Sequence, residues 1–321
     1  MAVGSTRHIV VLGTGGTIAG TGSDLEQAWR YDAAQLSVDQ LVSAIPELGA
    51  FHLRCEQVAQ IDSKDMNWRV WQALGEALQS HLAQDDVAGV VITHGTDTLE
   101  ETAYLINALH DGGKPVVLTA AMRPATAADA DGPRNLLDAC KVAQWAADQG
   151  RGGVVAVMAG KVWAASQVRK MHSHALDAFD GGGAPAVASL LSDGSVLSLV
   201  DAWPAAGGLG WSCLETAEPP RVEIITSHAD ADGLIVHALR DAAPDLKGLL
   251  VACTGHGTIN GPLEAALRQA QTEGVTVWRS SRVAKGGVVP REGDALFAVE
   301  GLTAAQARLA LVLHELGARL F

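Results

Sequence analysis

Apolar residues along this chain fall into two alternating patterns. Ile9, Val10, Val11 and Leu12 form a continuous, mostly β-branched run, the pattern of a strand buried on both faces of a parallel sheet. Similar runs recur at Val87 to Thr93 (VAGVVIT), Pro115 to Thr119 and Gly153 to Met158. Between them the spacing turns helical. From Asn67 onward, Trp71, Leu74, Leu78 and Leu82 share one face at steps of three and four, with Asp62, Ser63 or Asp65 as candidate caps. Thr98-x-x-Glu101 reads as a capping box, and Pro133 and Gly150 bracket a further helix. A short helix over Val38 to Ile45 and a weaker strand over Phe51 to Val58 complete this half. Residues 159–184 carry no clear pattern beyond a loop at Gly181 to Gly183.

The same grammar restarts after a Pro- and Gly-rich stretch at 201–220. It predicts strands at Val222 to Thr226, Leu249 to Thr254 and Val275 to Arg279, and helices near Ala231 to Leu239 and Pro262 to Glu273. A last helix starts at a Thr303-x-x-Gln306 capping box and ends near Gly317. Alternating strands and helices of these lengths predict an α/β protein of two α/β domains. These are a larger N-terminal parallel-sheet domain over 1–200, a linker over 201–220 and a smaller C-terminal α/β domain over 221–321.

Composition narrows the partners. Among 321 residues, 23 Lys and Arg face 36 Asp and Glu, a net charge of -13, which disfavours nucleic acid and anionic membrane. No stretch of apolar residues is long enough to span a membrane, and MAVGSTRHIVV lacks the ordered regions of a secretory signal. Cys55, Cys140, Cys213 and Cys253 are scattered without CxxC spacing, as expected of buried thiols in a reducing cytosol. The expected location is cytoplasmic.

Two segments carry candidate chemistry. After the first strand, Gly13, Gly15 and Gly16 allow a sharp turn and a close backbone approach, and Thr17 follows at the carboxyl end of the strand. Ligands bind at that edge in open α/β sheets. Counting G-x-G-x-x-G from Gly13 puts Ile18 at the third small position, and no Gly-Lys-Ser/Thr follows, so neither a dinucleotide fingerprint nor a P-loop fits. Thr17 is a candidate nucleophile or a local hydrogen-bonding group. Thr21 to Asp32 is polar and without apolar period, a mobile loop where a lid would sit. The second segment, Thr93 to Thr98 (THGTDT), sets hydroxyls and Asp97 at a strand end before a helix N-terminus, where negative charge is favoured. On its own it reads first as helix capping. His172 and His174 lack the carboxylate or thiol neighbours of a metal site, so no metal and no cofactor are expected.

Together, TGGTIAG, HGTDTLEETAY, AAMRP and DGPRN resemble the bacterial-type L-asparaginases and glutaminase-asparaginases. The likeness extends through QLSVDQLVSAIPEL, DSKDMN, SSRV and the closing helix, over nearly the whole chain. It implies an amidohydrolase that attacks the side-chain amide of L-asparagine with a threonine hydroxyl, releasing ammonia and then aspartate. By motif, Thr17 matches the nucleophile and Tyr31 the tyrosine that closes over it. Ser63 matches the serine on the substrate α-carboxylate, and Asp97 the acid on the α-ammonium. Thr96 matches the second catalytic threonine, linked to a lysine for which Lys170 is the candidate. Ala121 matches a carbonyl contact to the amide.

The residue chemistry agrees with these roles. A threonine hydroxyl needs a neighbouring base, a desolvated lysine can lose its proton, and a zwitterion needs an anion and donors facing it. The chain departs from the family pattern at Lys64, where several relatives carry glutamine, and at His256, where an asparagine or serine is usual. Glu292 is the match for the glutamate that completes the site from a neighbouring subunit, in a shortened segment. The resemblance also implies a homotetramer built as a dimer of dimers. The rivals are a glutaminase-asparaginase of broader specificity acting also on L-glutamine, a catalytically weak amino-acid sensor, and the amidohydrolase subunit of a tRNA-dependent amidotransferase. The last normally carries an N-terminal extension ahead of the nucleophile.

Overall fold

A computed structural model describes residues 7–22 and 31–320, and the chain divides into two compact units, Met1–Glu215 and Thr216–Phe321. In the larger unit the apolar runs form β1 (His8–Gly15), β3 (Val87–Thr93), β4 (Pro115–Thr119) and β5 (Gly153–Met158), joined at one edge by β2 (Leu53–Ile61). These five strands are parallel in the order β5-β4-β3-β1-β2. Side chains alternate across a strand, so the runs feed two cores. Ile9, Val11, Val91 and Val117 pack with Val38 and Leu41 of α1 (Val38–Ser43) and Leu136 and Val142 of α4 (Gly132–Asp148). On the opposite face, Val10, Leu12, Val90 and Ile92 pack with Leu74 and Leu78 of α2 (Trp68–Leu82) and with Ala103 and Ile106 of α3 (Leu99–Leu109).

The sheet does not end at β5. Beyond it come β6 (Lys161–Ala164), β9 (Ala188–Leu190) and β10 (Val196–Ser198), each antiparallel to its neighbour, so an otherwise parallel sheet becomes mixed. The turn between β5 and β6 is the two residues Ala159 and Gly160, both at positive φ (48° and 72°), the conformation that reverses a strand tightly. Between β6 and β9 lies a separate short pair, β7 (Arg169–Lys170) with β8 (Phe179–Asp180). The start of the expected linker packs into the larger unit. Trp203 is buried, Gly207 and Gly210 donate backbone bonds to the carbonyls of Asn107 and Leu109, and Leu214 lies over Gly75.

Two caps differ from the sequence reading. Asn67 caps α2 by accepting from Val70 N, while Asp62 caps the 3-10 turn Ser63–Asp65. Thr98 stands at the N-cap of α3 without a side-chain cap bond, because its hydroxyl donates to Ser63 O at 2.8 Å. Residues 23–30 of the expected loop lie outside the described residues; at its base Thr21 and Asp32 exchange both backbone hydrogen bonds at 2.9 Å.

The smaller unit holds a parallel sheet in the order β11 (Arg221–Thr226), β12 (Leu246–Cys253), β13 (Thr276–Ser281), β14 (Phe297–Ala298). One face packs Leu249, Val251 and Val277 against Val236 of α5 (Leu234–Ala242) and Leu263 and Leu267 of α6 (Gly261–Thr272). Gly248 leaves room on β12 for Leu311 of α7 (Ala304–Glu315), which starts at the expected Thr303/Gln306 capping box. All four cysteines are free thiols.

Candidate active site

The carboxyl ends of β1, β2 and β3 converge through three small residues. Gly16 follows β1 at φ 81°, ψ −172°, a region essentially restricted to glycine. A Cβ there would lie 2.4 Å from the backbone Cα and N of Gly95, just beyond β3. A Cβ on Gly95 would in turn lie 2.4 Å from Oγ of Ser63, in the turn after β2. Thr14 Oγ1 adds a bond across the same ends, donating to Thr93 O at 2.9 Å. The residues preceding Thr17 and Thr96 are therefore in backbone contact, which places two hydroxyl-bearing turns side by side at the sheet edge.

Each hydroxyl has its own partner. Thr17 is buried, and its Oγ1 is hydrogen-bonded to Tyr31 Oη at 2.7 Å. Gly20 makes room for the tyrosine ring, since a Cβ at Gly20 would meet Tyr31 Cδ2 at 2.8 Å. Thr96 Oγ1 accepts from Lys170 Nζ at 2.9 Å, and the same ammonium donates to Asp97 Oδ1 at 2.6 Å. The lysine side chain is 18% exposed and the aspartate 56%, so the carboxylate keeps a face open to a ligand while the ammonium is enclosed. Lys170 sits on the two-residue strand β7 and is held by its backbone, whose N–H donates to Glu100 Oε2 in the first turn of α3 at 2.8 Å.

Ser63 is buried, and its Oγ accepts from Asp97 N at 3.2 Å, leaving the hydroxyl proton for an acceptor elsewhere. Ala121 follows β4 and is fully buried; a Cβ on Gly132 would fall within 3.3 Å of Ala121 Cβ and 2.9 Å of Ile18 Cγ1, which puts Ala121 next to the Thr17 turn. Asp131 anchors this corner, accepting from Met122 N, Arg123 N and Asn135 Nδ2. Lys64 points away into its own turn, its ammonium 2.6 Å from Asp62 Oδ2 and 3.4 Å from Asp65 Oδ2, and the Asp62 bond raises its pKa.

The structure thus brings together Thr17 with Tyr31, and Thr96 with Asp97, Lys170 and Ser63. His256 and Glu292 belong to the smaller unit, where both are exposed. His256 Nε2 accepts from the Arg291 guanidinium at 2.6 Å, in a turn closed by the Thr254 and Thr258 backbones. Sequence reasoning missed Glu100 and His94. His94 is completely enclosed, and burial pushes its pKa down to about 4. The signal for Glu100 was its place in the first turn of α3, but its partner lies seventy residues away. Among the described residues no group of His, Cys, Asp and Glu is arranged to hold a metal ion, and no helix is long and apolar enough to cross a membrane.

Comparison with known proteins gives the family. Residues 8–200 match the family described as asparaginase, N-terminal, and residues 221–314 match the glutaminase/asparaginase C-terminal domain. The glutaminase-asparaginase of Pseudomonas fluorescens biotype A is 34% identical over 89% of this chain and 78% of its own length. The probable periplasmic L-asparaginase of Haemophilus influenzae is 37% identical over 87% of this chain and 78% of its own. The crystal structure of a probable cytoplasmic L-asparaginase from Campylobacter jejuni superposes with a TM-score of 0.89 at 33% identity, covering 96% of this chain and 95% of the other. With both halves matched and the fold shared, the chain belongs to the asparaginase family.

Proposed function

We propose that this chain is an L-asparaginase that hydrolyses the side-chain amide of L-asparagine to L-aspartate and ammonia, with Thr17 as nucleophile. The observation that carries the reading is the contact of Gly16 with Gly95, which sets Thr17–Tyr31 beside Thr96–Lys170–Asp97. Thr17 Oγ1 attacks the amide carbon as its proton passes to Tyr31 Oη and the phenol's own proton moves on to the amide nitrogen. Collapse of the tetrahedral intermediate breaks the C–N bond, expels ammonia carrying the proton relayed through Tyr31, and leaves a β-aspartyl ester on Thr17. Water, oriented by the Thr96 hydroxyl that Lys170 Nζ holds, then attacks the ester carbon, and its proton goes by way of Tyr31 Oη to Thr17 Oγ1 as the ester bond breaks, which restores the threonine hydroxyl. The open face of Asp97 suits the substrate α-ammonium, and the spare proton of Ser63, beside the N-terminus of α3, suits the α-carboxylate. Ala121 contributes its carbonyl to the amide nitrogen.

A homotetramer in which Glu292 of a second copy completes the site is part of this proposal, as is a cytoplasmic location; the names of the relatives include both a cytoplasmic and a periplasmic enzyme. Asparagine is the preferred substrate. Glutamine is one methylene longer, a difference typically worth about 10–200-fold in discrimination, and an imidazole at 256 leaves less room than serine. The glutaminase-asparaginase name of a relative favours the broader reading, and one assay separates them. Ammonia release from both amides is measured on the wild type and on His256→Ser. A higher kcat/KM for asparagine that narrows in the variant supports the proposal. A wild-type ratio near one gives the broader reading, equal ratios in both proteins remove His256 from selectivity, and aspartate binding without ammonia release gives the sensor.

A further inference from the structure

Behind the Thr96 turn runs a chain of buried hydrogen bonds. Trp71 Nε1, on α2, donates to Thr102 Oγ1, on α3, at 2.9 Å. Thr102 Oγ1 lies 2.9 Å from His94 Nε2, and His94 Nδ1 lies 2.7 Å from Gly95 O. Thr102 and His94 are both fully buried. The protons have one arrangement. A carbonyl oxygen only accepts, so His94 Nδ1 carries the hydrogen; the enclosed ring is neutral, so Nε2 offers a lone pair; Thr102 therefore donates to Nε2 and accepts from the indole. Every donor and acceptor is used once, in a single direction, ending on the carbonyl of the peptide that joins Gly95 to Thr96.

That peptide is where orientation has to be supplied from outside. Packing against Ser63 and Gly16 excludes any Cβ at 95, so the residue is glycine, the least restrained of all backbones. Its carbonyl direction sets the plane from which Thr96 departs, and Thr96 Oγ1 has to meet Lys170 Nζ. We propose that the Trp71–Thr102–His94 relay fixes the Gly95–Thr96 peptide and makes His94 a positioning residue for the Thr96 hydroxyl. This rests on the reading of Thr96 as a reacting-site hydroxyl. His94 neither touches substrate nor exchanges protons with it.

The test removes the middle of the relay. Thr102→Val preserves shape but deletes the hydroxyl that both neighbours use, and Thr102→Ser keeps it. In folded protein, Thr102→Val lowers kcat for asparagine about ten- to a hundredfold, as for a group displaced within a site, with KM within about twofold, and Thr102→Ser recovers most of the loss. Nitrogen-15 NMR of labelled histidine shows a neutral His94 ring protonated on Nδ1 at pH 7 in the wild type, and a mixture of tautomers in Thr102→Val. A folded Thr102→Val with kcat within twofold of wild type overturns the proposal, as does a fall confined to KM, or a wild-type ring that is charged or protonated on Nε2. Should Thr102→Val not fold, Trp71→Phe is decisive: a severalfold loss in kcat supports the relay and unchanged kcat overturns it. A wild type that releases no ammonia removes the functional reading alone; the tautomer then upholds or overturns the relay.

Discussion

Gly16→Ala is the sharpest perturbation of the sheet-edge arrangement. Gly16 lies at φ 81°, ψ −172°, where a Cβ costs on the order of 1–3 kcal/mol in backbone strain alone. The added carbon would also fall 2.4 Å from Gly95 Cα and N, while carbon contacts settle at about 3.5–4.0 Å. Neither neighbour is a flexible side chain, so the two turns must separate by roughly 1 Å, a displacement that typically lowers turnover about a hundredfold. Gly150→Ala is the control: it also has positive φ (65°), but nothing lies within 4 Å of its Cβ. Both variants should lose stability in urea unfolding, Gly16→Ala the more. Only Gly16→Ala should lose asparaginase activity, by about two orders of magnitude in kcat. A folded Gly16→Ala with kcat within about threefold of wild type would refute the argument that this contact aligns the two hydroxyls.

Two further outcomes follow from single groups. Ser63→Ala removes the spare hydroxyl proton, and because a hydrogen bond to a charged group is worth about 1.5–3 kcal/mol, KM for asparagine should rise at least about tenfold with a smaller change in kcat; steady-state kinetics checks this, and an unchanged KM would place the substrate carboxylate elsewhere. His94 has a folded pKa lowered from 6.5 to about 4 by burial, so the unfolded chain binds the extra proton first. Its contribution to stability is therefore complete above pH 6.5 and declines as the pH falls toward 4, by on the order of 3 kcal/mol in total. Urea unfolding between pH 7 and 4 should fall more steeply for wild type than for His94→Gln, and parallel curves would contradict a buried neutral ring.

The legibility of this molecule in its sequence follows the range of the forces involved. β1 and β3 are readable because a strand buried on both faces needs an unbroken apolar run, and α7 because Thr303 and Gln306 cap each other locally. Thr98 presents the same capping signature, yet its hydroxyl is taken by Ser63, thirty-five residues away, and no local pattern records that competition. β6, β9 and β10 are too short for periodicity, and their direction depends on a turn that puts an alanine, Ala159, at positive φ. Lys170 lies in the least patterned stretch of the larger unit, placed by Glu100 and by pairing with Phe179. The resemblance, not periodicity, pointed to it. The Trp71–Thr102–His94 relay was hidden for the same reason: Trp71 reads simply as one member of an apolar helix face, and its partners belong to other elements.

The central claim is that Thr17 is the nucleophile, and ammonia release by Thr17→Ala tests it most directly, with aspartate binding measured by calorimetry on the same preparation. Loss of the attacking oxygen should lower kcat at least about a hundredfold while the variant still binds aspartate, because Ser63, Asp97 and Lys170 do not depend on that hydroxyl. A folded Thr17→Ala that binds aspartate and releases ammonia at close to the wild-type rate would contradict the claim.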